Sequence, residues 1–297
     1  MNMVQSKTVG AKVFKVINVI ILTAMAFSCF YPLWYTLCVS LSSKAAAEGG
    51  LVTIYPIGIN LSSYDLIMGD KQFWRSFMIS VERVVFGTLF TMIAIIMMAY
   101  PLSKKKEKYK PRDILMWVMI FCMLFNGGTI PWFITVKNYG MIDTIWALIF
   151  SGSVPIFNVL LLMNFFRNIP GDLEEAAIVD GAGPWTILWK IIVPCSKPVI
   201  ATVVLFTSVG YWNEYFQGLV LINKQENYPL QTYIRQITVN IPAGVTLTAE
   251  QYQQLSTKSN KSLEAAKVFI ALVPMLIIYP FLQKYFVNGI TLGAVKE

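Results

Sequence analysis

The apolar residues of this chain fall into six blocks, each long enough to cross a bilayer, and that arrangement limits the fold before anything else does. Crossing the hydrocarbon core takes about 20 helical residues at a rise of about 1.5 Å each. The blocks run roughly from Phe14 to Ser40, Phe77 to Leu102, Ile114 to Thr135, Thr144 to Phe166, Val199 to Ile222 and Lys267 to Phe286. None alternates apolar and polar residues as a barrel strand does. In lipid the backbone must satisfy its own hydrogen bonds, so the pattern predicts an all-α membrane protein with six transmembrane helices. The charged fraction, 13%, agrees, since a soluble domain carries about 25%.

Lysines precede the first block and small residues, "SKAAAEGG", follow it, as in an export signal. Its apolar run exceeds the roughly 7–15 residues of such a signal, so a retained helix after a short tail over 1–13 is expected. No repeat of 20 to 50 residues and no low-complexity linker divides the rest, so 14–297 is expected to be one membrane domain. The stretch from Asn223 to Ala266, rich in Gln, Asn, Thr and Tyr, is too long for a plain connection and is expected to be partly folded and functional.

Orientation follows from where Lys and Arg cluster. The densest basic tract is "KKKEKYKPR", Lys104 to Arg112, and Lys7, Lys12 and Lys15 precede the first block. Both belong on the cytoplasmic side. An even number of spans then puts both termini inside and the stretches 41–76 and 223–266 outside. Arg167, Lys190 and Lys197 fall inside as well. The net charge of +8 is accounted for by this asymmetry without a nucleic-acid partner.

Missing residue types exclude whole classes of chemistry. The chain has no histidine, which removes Ser-His relays, His-bound metals and the zinc-protease helix, so no catalytic and no metal site is expected. Cys29, Cys38, Cys122 and Cys195 stand singly without CxxC spacing and read as small buried hydrophobes. No glycine-lysine phosphate loop is present, so uphill transport would draw its energy from a partner or an ion gradient.

Between the fourth and fifth blocks lies "PGDLEEAAIVDGAGPWTILWKIIVP", residues Pro170 to Pro194. Pro170-Gly171 ends a span. Asp172 can cap a new helix with Glu175 reaching back to it, and Gly181 supplies a left-handed stop. The helix so bounded, about Leu173 to Asp180, has two turns, far below the roughly 12 to 15 residues that an isolated helix needs in water. It must lean on something. Pro184 suits the first position of a second helix, after which the chain can turn back towards the membrane at Pro194. Ala176 and Ala177 would let a partner approach closely, with Glu174, Glu175 and Asp180 at the rim. On physical grounds alone, an interfacial helix lying on its own membrane domain is an equal reading.

The spacing of Glu175, Ala176, Ala177, Gly181, Ile191 and Pro194 resembles the EAA loop of binding-protein-dependent ABC importers, with Val193 in place of that pattern's leucine. Further similarity, in "VGYWNEYFQGLVLI", "FNGGTIPWF" and "QKYFVNGITLGAVKE", points to the carbohydrate-uptake branch that includes the smaller maltose permease subunit, and within it to permeases for complex oligosaccharides. The resemblance implies a type I importer permease fold with a cytoplasmic coupling helix. It implies as partners a second, homologous permease, two ATPase subunits that bind ATP and Mg, and an extracytoplasmic solute-binding protein, in a bacterial cell membrane. Glu174, Glu175, Ala176, Ala177, Asp180, Gly181 and Gly183 would then form the ATPase-docking surface. The segment 223–266 would be a contact for the binding protein, and the tail "GITLGAVKE" would either reach the ATPase or fray.

Polar groups inside apolar blocks mark candidate positions along a path. Asn213 and Glu214, flanked by Trp212 and Tyr215, either line a sugar path or tie the fifth span to a neighbour. Asn126-Gly127-Gly128 and Pro131 break the third block, as a gate or as its outer end. Glu82 and Arg83, adjacent and therefore unable to face each other on a helix, are expected near the outer interface rather than in the path. Rival readings are a permease for a non-sugar solute, an ion-coupled transporter, which would need ionisable residues in several spans and usually an inverted repeat, and a membrane-embedded enzyme.

Overall fold

A computed structural model describes residues 8–152, 154–238 and 261–294, with side chains of the last segment as far as Pro280. The described residues contain helices and no strand. The chain divides into two compact units, one of residues 1–70 and 237–272, the other of residues 71–236 and 273–297.

In the first unit, α1 (Val9–Ser40) begins five residues before the apolar block that announced it, so part of the expected tail is helical. Its surface is apolar nearly throughout, and only Cys38, Val39 and Ser40 at its end are buried. There α2 (Lys44–Glu48) and α3 (Ser62–Gly69) close a small core of Cys38, Val39, Ala46, Ala47 and Val52. The first turns of the C-terminal helix, Lys261–Ala294, are tied in by polar bonds. Ser262 Oγ lies 3.0 Å from Ser63 Oγ and donates to the Ser42 carbonyl, and Lys267 Nζ lies 2.7 Å from Asp70 Oδ2.

The second unit is organised by α4 (Lys71–Ser103). Its buried stripe includes Ser76, Ser80, Arg83, Gly87, Thr91, Ile95 and Ala99 at a spacing of three or four residues, and the small members among them let neighbouring helices approach closely. The third block is not one rod. It forms α5 (Arg112–Leu124) and α6 (Thr129–Asn138), bent by 113° at Phe125–Gly128, where the Asn126 side chain accepts from the Gly128 N–H at 2.9 Å. The fourth block is likewise divided, into α7 (Ile145–Phe150) and α8 (Ile156–Arg167), at a segment containing Pro155.

The stretch opening at Pro170 forms α9 (Gly171–Val179) and α10 (Pro184–Cys195), and the fifth block forms α11 (Lys197–Asn213) and α12 (Phe216–Leu221). The chain does not turn at Pro194; α10 runs through it and bends by 84° into α11 at Ser196. A π-helical turn, Leu188–Ile192, precedes that proline, whose ring crowds the carbonyl four residues back and which has no N–H to donate. Of the stretch 223–266, a 3₁₀ turn at Gln225–Asn227, α13 (Leu230–Thr238) and the start of the C-terminal helix are described; 239–260 lie outside the described residues, as do 295–297 of the tail.

Three described helices are long and apolar enough to cross a membrane singly, Val9–Ser40, Lys71–Ser103 and Lys261–Pro280, and the bent pairs α5/α6 and α10/α11 raise the number to five. Cys38 is buried as expected, whereas Cys29, Cys122 and Cys195 lie at the surface of apolar helices. A thiol on a face turned to other apolar matter needs no burial within its own chain.

Candidate functional site

Two places in the second unit gather the residues that the sequence singled out. One is a cavity of about 420 Å³ walled by α4, α8 and α11, with Arg83, Asn158, Thr207, Tyr211, Glu214 and Gln217 among its lining. The other is the end of the unit that carries α9 and the basic tract.

At the cavity, the buried stripe of α4 carries Arg83 inward, only 1% exposed. Its Nη2 lies 2.9 Å from Glu214 Oε2 and also donates to Gln217 Oε1, its Nη1 donates to the Glu214 carbonyl at 3.0 Å, and its Nε to the Leu148 carbonyl at 3.1 Å. Glu214 follows the last residue of α11, where the backbone becomes extended, and its carboxylate also accepts the Gln217 N–H at 2.9 Å. A charged pair out of water is tolerable when both members are paired and further hydrogen-bonded, as here. Tyr211 completes the wall. Its hydroxyl lies 2.9 Å from Thr91 Oγ1 and donates to the Ile149 carbonyl at 3.0 Å, and the Arg83 guanidinium sits 5.7 Å from its ring centre. Gly87 makes that ring position possible, since a Cβ there would stand 2.7 Å from it.

The expected path residues separate. Glu214 lines the cavity and also ties the end of α11 to α4, so the two readings of that residue describe one arrangement. Trp212 is buried edge-on against Phe77, Asn213 is exposed at the helix end, and Tyr215 stacks under the Arg235 guanidinium at 5.2 Å. Asn126 is spent on its own turn, away from the cavity lining. Arg83, expected near the outer interface, is the most buried charged group of the cavity wall, while its neighbour Glu82 lines a separate cleft with Arg75 and Asp143. Adjacent helical residues differ in direction by about 100°, which separates the two.

At the other end, α9 begins at Gly171 with Pro170 at its N-cap, so the anticipated Asp172 cap is not made; Asp172 already lies in the first turn. Its termination is as expected. Gly181 adopts a φ of 81°, its N–H reaches the Ile178 carbonyl and the Ala182 N–H the Ala177 carbonyl, a doubly bonded left-handed stop. The helix has two faces. Ala177, 8% exposed, packs into the core cluster that includes Phe166, Ile187 and Leu188, and Glu174 pairs with Lys104 at 2.5 Å; both therefore face the body of the unit. Asp172, Glu175, Ala176 and Val179 face out, with Asp180, Gly181 and Gly183 also exposed beyond the helix and Val179 at 87%. The basic tract shares this end: Arg112 and Arg167 both donate to the Leu102 carbonyl, and Lys106 bonds Asp113, whose carboxylate holds the lysine above its ordinary pKa.

Residues 8–292 match the family described as binding-protein-dependent transport system inner membrane component. Protein LplC of Bacillus subtilis (strain 168) is 37% identical over 289 residues, 97% of each chain. The polygalacturonan/rhamnogalacturonan transport system permease protein YtcP of the same organism is 34% identical over 93% of this chain and 95% of its own. A chain in the crystal structure of a bacterial ABC transporter involved in the import of the acidic polysaccharide alginate is 32% identical, with a TM-score of 0.83 over 95% of this chain and 99% of that one.

Proposed function

We propose that this chain, which belongs to the family of binding-protein-dependent transport system inner membrane components, forms one half of the pore of an ATP-driven sugar importer. Membership makes it a multi-pass membrane permease subunit and not an enzyme. Beyond that, we infer six spans with both termini cytoplasmic, counting α7 with α8 as one broken crossing and each bent pair as another. A second, homologous permease supplies the other half of the pore. Two ATPase subunits, holding ATP and Mg, dock from the cytoplasm, and an extracytoplasmic binding protein delivers an oligosaccharide; the polysaccharide substrates of YtcP and of the alginate transporter support that class.

The observation that carries this reading is α9. A nine-residue helix cannot stand alone in water, yet it is held by the core through Ala177 and Glu174 while turning Ala176 and Val179 outwards between acidic neighbours. An exposed apolar stripe with a polar rim is a docking surface. Movement of a docked ATPase would pass through α9 and α10 into α11, and so to Glu214 at the cavity. The test is reconstitution in proteoliposomes. Uptake should require ATP, the co-purifying ATPase subunits and the binding protein; uptake by this chain alone would overturn the assignment.

A further inference from the structure

The cavity wall holds one cation and one anion, and they are spent on each other. Three of the four acceptors given to Arg83 come from Glu214 or Gln217, and the fourth is a backbone carbonyl. What the wall presents besides is uncharged: the Asn158–Thr207 pair, the Thr91–Tyr211 pair, and the rings of Phe157 and Phe206. Hydroxyls, an amide and aromatic faces match the hydroxyls and the apolar ring face of a sugar. A carboxylate entering the same space would find the guanidinium already neutralised and the Glu214 anion beside it. Burying a charge without a partner is costly, and like charges at close range add to that cost.

Resting on the reading of this cavity as part of the sugar path, we propose that it is a subsite for an uncharged glycosyl unit and that Glu214 is the specificity-determining residue that turns uronates away. Glu214 acts by holding Arg83: with the carboxylate gone, the same guanidinium becomes a site for a sugar acid.

The experiment measures equilibrium binding to the importer's membrane assembly, purified through this chain and placed in nanodiscs without the binding protein. The probes are neutral tetrasaccharides (maltotetraose, cellotetraose, mannotetraose) and uronate tetrasaccharides (tetragalacturonate, tetramannuronate). Wild type should bind the best neutral probe at least about tenfold tighter than either uronate. Glu214→Gln should reverse that preference, and the Arg83→Gln/Glu214→Gln double variant should lose the gained uronate binding. Equal or tighter uronate binding by wild type overturns the proposal even if the single variant does not fold, and so does a folded Glu214→Gln with an unaltered ratio. Gly210→Trp locates the binding, because nothing stands within 4 Å of a Cβ at that cavity position. If it leaves binding unchanged, or if no probe binds, the cavity is not on the sugar path and the proposal falls. ATP-driven uptake by the same wild-type assembly, once the binding protein is added, shows whether the importer assignment survives on its own.

Discussion

Arg83 and Glu214 are 131 residues apart in the chain and 2.9 Å apart in the structure, joined at the point where α11 gives way to extended backbone. Both are needed or neither is. Removing one member of a buried pair leaves the other charge without compensation, which costs about 3–5 kcal/mol, whereas replacing both with apolar groups of similar volume is often close to neutral. Glu214, 28% exposed, recovers some hydration when it is left alone, so Arg83→Met should destabilise by about 3 kcal/mol. The Arg83→Met/Glu214→Met double variant should regain most of that. Scanning fluorimetry in one detergent across both singles and the double reads the coupling, and additive losses would show that the pair is not a unit.

Gly87 and Tyr211 supply a second contact that one atom can test. A methyl at Gly87 would lie 2.7 Å from the Tyr211 ring, well inside contact distance, and the ring is pinned by Thr91 and Ile149. Gly87→Ala should therefore cost about 1–3 kcal/mol by overpacking and should perturb sugar-dependent stimulation of ATP hydrolysis by moving a cavity wall. Gly69→Ala, where a Cβ meets nothing within 4 Å, is the matched control and should change neither. Equal thermal midpoints for the two variants would contradict the crowding argument.

The all-helical membrane character and the stop of α9 were legible in the sequence because each rests on a local rule: block length against bilayer thickness, and Gly181 as the one residue type at ease with a φ of 81°. The division of three blocks was only partly so. Asn126-Gly127-Gly128 announced the bend after α5, but the end of α11 has no such break at Asn213–Tyr215, and a tertiary bond from Glu214 to α4 holds it. That bond also explains why Trp212, Asn213 and Tyr215 part from Glu214. Consecutive residues at a helix end point in different directions, and the neighbour that chooses among them is far away in sequence. The partner of Arg83 was hidden for a related reason: Glu82 beside it faces elsewhere, and the carboxylate that it meets is 131 residues away. The signal that places it was present in the run Ser76, Ser80, Arg83, Gly87, Thr91, a small and polar stripe at helical spacing in an otherwise apolar block.

On α9, close approach by a partner was expected at both alanines, and the two now have different predicted effects. Ala177 is packed inward beside Phe166 and Leu188, so Ala177→Leu should overpack the core, cost about 1–3 kcal/mol and lower the yield of folded protein. Ala176 is exposed, and Ala176→Arg should leave the thermal midpoint within about 0.5 kcal/mol of wild type while disrupting ATPase docking. Fluorimetry and co-purification of the ATPase subunits, measured on both variants, separate a packing defect from a docking defect. The assignment of faces is wrong if Ala177→Leu folds normally and fails only to dock.

Val179 gives the sharpest test of the docking surface, because it is the most exposed apolar side chain of the helix at 87% and makes no demand on the fold. Val179→Glu puts a charge where an apolar contact is expected and adds to Glu175 and Asp180 on the same surface. The loss at a docked, desolvated site should reach about 2 kcal/mol or more, roughly a thirtyfold weakening of ATPase association, with membrane insertion and thermal stability of the chain unaltered. Glu174→Gln is the comparison that gives the result its meaning. Glu174 is bound to Lys104 within the unit, so its neutralisation should cost about 1 kcal/mol of stability and have little effect on ATPase affinity. Quantitative pull-down of the ATPase subunits over a concentration series separates the two. A Val179→Glu protein that retains wild-type association, or a Glu174→Gln protein that loses it, would place the docking contact on the inward face and displace the Ala176–Val179 surface from the coupling path.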